Sequence, residues 1–283
     1  MNLKILTDSG CDLPLSFYQE NNVYLFPLKI SIDNERFDDL MGISPSELYL
    51  AQNKKTFTSQ VSLQTFEEVF TNMAKNQEDG TYISFSSALS GICSTAQMVL
   101  NQVKEIYPDF QLTIIDTKWA SLGLELVVMR GVQLLKEGKS KQELVDGIVY
   151  AANHVEYLFT VDNLEHLAKG GRLSKTSAFL GGLLNIKPLL SVADGKLIPL
   201  EKHRGKKKIL KRIIELMNEN GTNLNEQVIA ICHADCLDSA NELKEMIIQE
   251  FSPREVFINS FGAVIGTHIG AGAFAIFFIN DHK

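Results

Sequence analysis

The sequence predicts a two-domain α/β protein, with a mainly parallel sheet in the N-terminal domain and a mixed sheet in the C-terminal one. Three observations carry this. Short apolar strand patterns alternate with amphipathic helical ones through the first half, the arrangement of parallel sheets. The second half mixes helices with a hairpin signal, Asp194-Gly195 between two strand patterns. The chain has 283 residues, more than the usual 100–200 of a single domain. The boundary is placed near residue 150, giving domains 1–150 and 151–283. No linker-like stretch separates them, so close packing is expected.

The elements follow in order. Residues 3–7 read as a strand closed by the turn Asp8-Ser9-Gly10, and 23–32 as a second, partly alternating strand. Ser44, Pro45 and Glu47 form a capping box with proline in the first turn. Another helix starts near Ser62. A strand over 81–85 precedes a helix over 91–107, whose Ile92, Ala96, Val99, Val103 and Ile106 form one apolar stripe. A strand over 111–116 leads to a helix over 120–136 closed by Gly138. Ser140 and Glu143 form a second capping box, opening a helix to about His154. Then come a strand over 155–161, a helical 163–168, the turn Gly170-Gly171, and the hairpin strands 188–193 and 196–200. Helices over 206–218 and 237–251 and strands over 227–232, 255–259 and 273–279 complete the chain.

Composition excludes several classes. The chain is 45% hydrophobic and 22% charged, so it folds rather than staying disordered. Its net charge of −7 counts against nucleic acid as the main partner. Four cysteines are too few for a disulfide scaffold, and the polar turn after Leu6 leaves no secretory apolar region. A cytoplasmic location is expected. Residues 261–279 lack Asp, Glu, Lys and Arg and carry Gly262, Gly266 and Gly270 at four-residue spacing. His268 and the glycine load argue for a glycine-rich loop entering a buried strand, not a membrane span.

Several segments could carry chemistry. Ser86-Ser87-Ala88-Leu89-Ser90-Gly91 lies between a strand end and a helix start, where open α/β sheets bind ligands. Free N–H groups, Gly91 and the Ser90 hydroxyl suit a carboxylate or phosphate, and a plain N-cap role for Ser90 is equally open. No GxSxG, Walker A or GxGxxG motif is present in context. The hydroxyl-rich 56–62 reads as a loop with Ser62 as cap. His268 is either a satisfied core histidine or a donor to a buried carboxylate. Lys169-Gly170-Gly171-Arg172 places an arginine in a turn. Residues 202–212 concentrate five Lys and two Arg, a docking patch or a solvated face. Cys232-His233-Ala234-Asp235-Cys236 has no second metal-ligand half, so core cysteines are expected and no metal.

With these residues in place, the chain resembles the DegV family, fatty-acid-binding proteins that act as a subunit of bacterial fatty acid kinase. The resemblance runs from Ile5-Leu6-Thr7-Asp8-Ser9 and Asp12-Leu13-Pro14, through Thr58-Ser59-Gln60, Leu89-Ser90-Gly91 and Lys169-Gly170-Gly171-Arg172, to Thr267-His268. It implies one long-chain fatty acid buried between the domains. Its carboxylate would be held by Thr58 and Ser90, with Gly91, His268, Ser59 and Thr267 in the same site. It implies no catalytic residue, no cofactor, and a dihydroxyacetone-kinase-like partner that phosphorylates the carboxylate, with Arg172 and Arg204 as docking residues. Membrane contact would be transient at most. Residues 178–184 and 274–278 are expected tunnel walls. Val61, Ile92 and Ala271 depart from the family's usual Pro, Thr and Pro. The rival readings are an acyl or phosphoryl transferase using Ser90 and His268, and a nucleic-acid-binding regulator using 202–212.

Overall fold

The computed structural model describes residues 3–33, 35–51, 54–173 and 186–280. Its strands are, in chain order, β1 (Leu3–Asp8), β2 (Tyr24–Phe26), β3 (Lys29–Ile32), β4 (Glu35–Asp38), β5 (Thr56–Ser59), β6 (Asp79–Ser84) and β7 (Leu112–Asp116). They continue with β8 (Val155–Thr160), β9 (Ile186–Ala193), β10 (Lys196–Arg204), β11 (Val228–His233), β12 (Glu255–Ser260) and β13 (Phe274–Ile279).

Three sheets result. A four-stranded parallel sheet has the order β2-β1-β6-β7, and a six-stranded mixed sheet the order β10-β9-β8-β13-β11-β12. In the second, only β11 and β12 run parallel. The α/β class and the division into parallel and mixed sheets agree with the sequence reading. The third sheet, β4-β3-β5, is small and antiparallel, and was not expected. It arises because residues 23–32 form two strands rather than one. Pro27, which lacks an N–H, separates β2 in the parallel sheet from β3, which leaves it. Thr56–Ser59, expected as loop, is the third strand of this sheet.

The cores explain the layers. β13 is central in its sheet and buried on both faces, which is why its sequence is continuously apolar. Ala275 and Phe277 face a core that also takes in Trp119, Val128 and Phe159, so residues of both halves share it. Phe274, Ile276 and Phe278 face a second core under the helices Lys206–Asn220 and Leu237–Phe251. In the N-terminal half, Phe26, Phe66, Phe70 and Tyr82 cluster with ring centroids 4.5–6.2 Å apart.

Local signals behave as their chemistry requires. Both capping boxes form, at Ser44 with Glu47 and at Ser140 with Glu143. Asp194 and Gly195 have φ of 48° and 76°, the two positive values of a tight hairpin turn. The stripe of the helix Ile92–Ile106 is shorter than expected: Ile106 is 74% exposed, and Leu100 is buried instead. Residues 202–204 of the basic segment extend β10, and only the remainder is helical. The apolar stretch near the C-terminus contains a further helix, Ala263–Ile269, where a loop was expected. Among the described residues no helix is long and apolar enough to cross a membrane.

Candidate functional site

The first wall of the site is the loop between β6 and the helix Ile92–Ile106. It is anchored at its root. Phe85 N–H donates to Asp8 Oδ2 at 2.9 Å, and the Tyr82 hydroxyl donates to the same oxygen at 2.8 Å. Burial pushes the Asp8 carboxyl up to about 6, against the pull of these donors and the Gly10 N–H. Further along, the Ser86 hydroxyl donates to the Gly195 carbonyl at 2.9 Å, so the tip of the β9–β10 hairpin rests on the loop. Ser90 Oγ accepts from the Ile92 N–H at 3.3 Å, and Gly91 is the helix N-cap, with no side chain to cap it.

The second wall is β5. Thr58, paired with Ile30 of β3, points its hydroxyl at His268, with Oγ1 2.7 Å from Nε2. His268 sits on the helix Ala263–Ile269. Its other ring nitrogen explains a glycine: a Cβ on Gly170 would lie 2.4 Å from His268 Nδ1. Gly170 has φ −71°, an ordinary value, so the demand is for space alone. Arg172 then ties this turn to the first wall, donating from Nε to the Leu89 carbonyl at 3.0 Å and from Nη1 to the Gly170 carbonyl at 2.6 Å. Gln60 lies beside the start of the helix Ile92–Ile106. Its Nε2 donates to Thr95 at 2.9 Å, and its Oε1 lies 2.7 Å from where a Gly91 Cβ would stand.

Thr58 is thus in contact with His268, His268 lies against Gly170, Arg172 bridges the Gly170 and Leu89 carbonyls, and Gln60 lies against Gly91, so polar groups cluster at one end of the site. Burial first, and then the Arg172 charge, push His268 down to about 4, so its ring is neutral at pH 7. Burial also lowers Arg172 from its ordinary value. Ser59, Gln60 and Gly91 are exposed, so this polar end is close to solvent.

The polar cluster opens on an apolar cavity of about 380 Å³, within the range of small-molecule sites. Phe85 and Leu89 line it from the parallel sheet side, Tyr157 and Phe159 from β8, Leu197 from the hairpin, and Val264, Ile265 and Ile269 from the short helix. Of the residues expected from sequence, Thr58, Ser59, Ser90, Gly91, Arg172 and His268 all line this cavity. Thr267 does not: its hydroxyl donates to the Ala263 carbonyl at 2.9 Å, inside its own helix. Arg204 is exposed at the end of β10, away from the cavity lining. Arg172 is half-buried in the wall rather than displayed. Phe274–Phe278 are core, not wall: Phe277 stacks behind Tyr157 at 4.3 Å, and Tyr157 is the residue in contact with the cavity. Residues 178–184 lie outside the described residues. Gln60 was missed, although strand alternation places it on the same face as Thr58.

The arrangement suits an amphipathic ligand, with an anionic head among hydroxyl and backbone donors beside the Arg172 guanidinium and a long apolar tail. It does not resemble an activated nucleophile. The partner of Ser90 Oγ is a backbone N–H, and His268 is engaged with Thr58.

Known proteins bear on this geometry. Across 99% of the chain and 98% of the other, it is 38% identical to a DegV domain-containing protein of Clostridium perfringens. Its fold is similar to that of a fatty-acid-binding DegV family protein from Thermus thermophilus, with TM-score 0.89 and 27% identity over 99% of this chain and 100% of that one. It is equally similar to a fatty-acid-binding DegV family protein from Streptococcus agalactiae, with TM-score 0.88 and 29% identity over the full length of both. A family model described as "Uncharacterised protein, DegV family" matches residues 2–281. The chain belongs to the DegV family.

Proposed function

We propose that this protein binds one long-chain fatty acid in the cavity and presents its carboxylate to a partner kinase. The observation that carries the reading is the polar cluster at the near-surface end of an otherwise apolar cavity. Two of the family's solved structures that it resembles are described as fatty-acid-binding, which supports the same ligand class. Burying the acyl chain contributes about 0.8 kcal/mol per methylene before association costs are subtracted. The carboxylate is held by the Thr58 and Ser90 hydroxyls and the N–H groups around Gly91, with Ser59 beside them.

His268 decides what Thr58 can do. With the proton on Nε2, the ring donates to Thr58 Oγ1 and leaves the threonine O–H free to donate to the carboxylate. With the proton on Nδ1, Thr58 would spend its hydrogen on the ring. The neutral Nε2–H tautomer is therefore the binding form. These hydroxyl and N–H donors hold the carboxylate by hydrogen bonds, while the Arg172 guanidinium beside it is engaged by the Leu89 and Gly170 carbonyls. One of its oxygens can still attack the terminal phosphorus of ATP on a dihydroxyacetone-kinase-like partner, giving an acyl phosphate and ADP.

The chain then acts as a non-catalytic carrier, working in the cytoplasm, with residues 1–150 and 151–283 as its two domains. Arg204 is the exposed candidate for kinase docking, and Arg172 joins the two walls beside the ligand head. Oleate binding by delipidated protein tests the reading. The parent should take up about one equivalent, and Thr58→Ala and Ser90→Ala should each weaken binding about tenfold, the loss of one charge-assisted hydrogen bond. A parent that binds no fatty acid would overturn the proposal. Arg204→Glu should bind oleate normally, and its bound oleate should be phosphorylated more slowly by the kinase.

A further inference from the structure

The helix Ala263–Ile269 cannot hold its own start. It is seven residues long and its N-cap, Gly262, has no side chain to offer. A helix this short is not stable alone, and its first N–H groups need acceptors. The chain supplies one from 225 positions away: Val264 N–H donates to Asp39 Oδ1 at 3.3 Å. The Ala263 and Leu40 N–H groups and the Ser9 hydroxyl also face this carboxyl and draw its pKa back against the rise that burial causes. Its second oxygen, Oδ2, has no full hydrogen bond.

Asp39 is fully buried and rooted in the small sheet. It directly follows β4, and its own N–H donates to the Leu28 carbonyl at 2.9 Å. The neighbouring register pairs Lys29 with Asp38 on one side and with Ser59 on the other, so Asp39 lies level with the end of the strand that carries Thr58. A second carboxylate supports the joint. Asp12 accepts from the Ser121 hydroxyl at 2.6 Å, and its Oδ1 presses on Gly262, where a Cβ would lie only 2.3 Å from it. Both Asp12 and Leu40 are held in the left-handed region, at φ 58° and 65°.

We propose that Asp39 is a positioning residue for the ligand carboxylate. It clamps the helix bearing His268 to the sheet bearing Thr58, and so sets the contact between those two side chains. This rests on the fatty-acid reading only for its consequence in binding; the clamp itself is a property of the ligand-free protein.

The test uses the full chain with Asp39→Ser, whose side chain is too short to reach Val264, and Asp39→Asn, which keeps an acceptor oxygen. Two readouts are taken: the His268 ring nitrogen resonances without ligand, and the affinity for oleate. Asp39→Ser should shift the resonances and weaken oleate binding at least tenfold, while Asp39→Asn should stay within threefold of the parent. A folded Asp39→Ser protein with parental resonances and affinity would overturn the proposal, as would an Asp39→Asn protein as impaired as Asp39→Ser. Should Asp39→Ser not fold, hydrogen exchange in the parent decides: the Val264 amide should be protected, and exchange at the rate of an open chain would overturn the clamp. Failure of the parent to bind oleate would sink the functional reading alone, because the resonance and exchange readouts need no lipid.

Discussion

The helices Lys141–His154 and Ala263–Ile269 are held in opposite ways. The first encodes its own beginning. Ser140 accepts from the Glu143 N–H at 3.3 Å, and Glu143 accepts from the Ser140 N–H at 2.9 Å. Leu144, Ile148, Ala152 and His154 are buried along it, while Gln142, Glu143, Asp146, Val149 and Tyr150 are exposed. The second has glycine at both ends, is buried over most of its length, and takes its cap from Asp39, with Asp12 close against Gly262. A self-capped helix is indifferent to small movements elsewhere. A helix capped by distant residues stays where those residues put it, and this one carries His268 to within 2.7 Å of Thr58. The difference teaches that precision at the site comes from long-range contacts, while robustness comes from local ones.

The largest expected effect attacks the second arrangement without touching its polar groups. Gly170→Val places carbon atoms where His268 Nδ1 now sits, since even a Cβ would lie 2.4 Å away. The ring must turn and lose Thr58. Oleate affinity should fall by tenfold or more, with global unfolding changed much less. Equal affinity, measured by displacement of a fluorescent fatty acid, would show that the His268 contact is dispensable.

A smaller effect follows from protonation. In the folded chain His268 stays neutral down to about pH 4, whereas in the unfolded chain it ionises near the ordinary histidine value of 6.5. Between those values the unfolded state binds more protons, so this residue's contribution to stability is lost as the pH falls through the window. Asp8 and Asp39 act in the other direction. Their carboxyls, raised from 3.8 to about 6, stay protonated in the fold where the unfolded chain would ionise, so they lose stability as the pH rises. Comparison with His268→Gln isolates the histidine. Relative to that variant, the parent should lose about 1–2 kcal/mol between pH 7 and pH 5 in urea titrations.

The two helices also mark what could be read from the sequence. Ser140 with Glu143, Ser44 with Glu47, and Asp194-Gly195 are complete signals within four residues, and each forms as expected. The order of strands and helices, and the change from parallel to mixed sheet, were legible for the same reason. The strand Thr56–Ser59 was not. It is four residues long, and its partner β3 lies more than twenty residues earlier. The helix Ala263–Ile269 was hidden because its glycines are breakers by local rules and its caps are remote. The site shares this character. Thr58, Ser90 and His268 are each unremarkable alone, and family resemblance rather than spacing singled them out together. Thr267 shows the limit of that guide: it shares a motif with His268, but its hydroxyl turns back into the helix.

The smallest effect probes the other side of the comparison. Ser140→Ala removes the oxygen that accepts from Glu143 N–H, and leaves the Glu143 carboxylate with the backbone N–H of residue 140 and the Lys139 ammonium at 3.6 Å. N-cap losses of this kind cost about 1 kcal/mol. The helix itself should persist, because Leu144, Ile148 and Ala152 remain buried and the chain on either side is packed. Among the described residues, none that lines the cavity lies on this helix. Thermal or urea unfolding should therefore register the loss while oleate affinity stays within twofold of the parent. A Ser140→Ala protein that lost affinity as Gly170→Val does would mean that locally capped elements also tune the site, and the division between the two helices would fail.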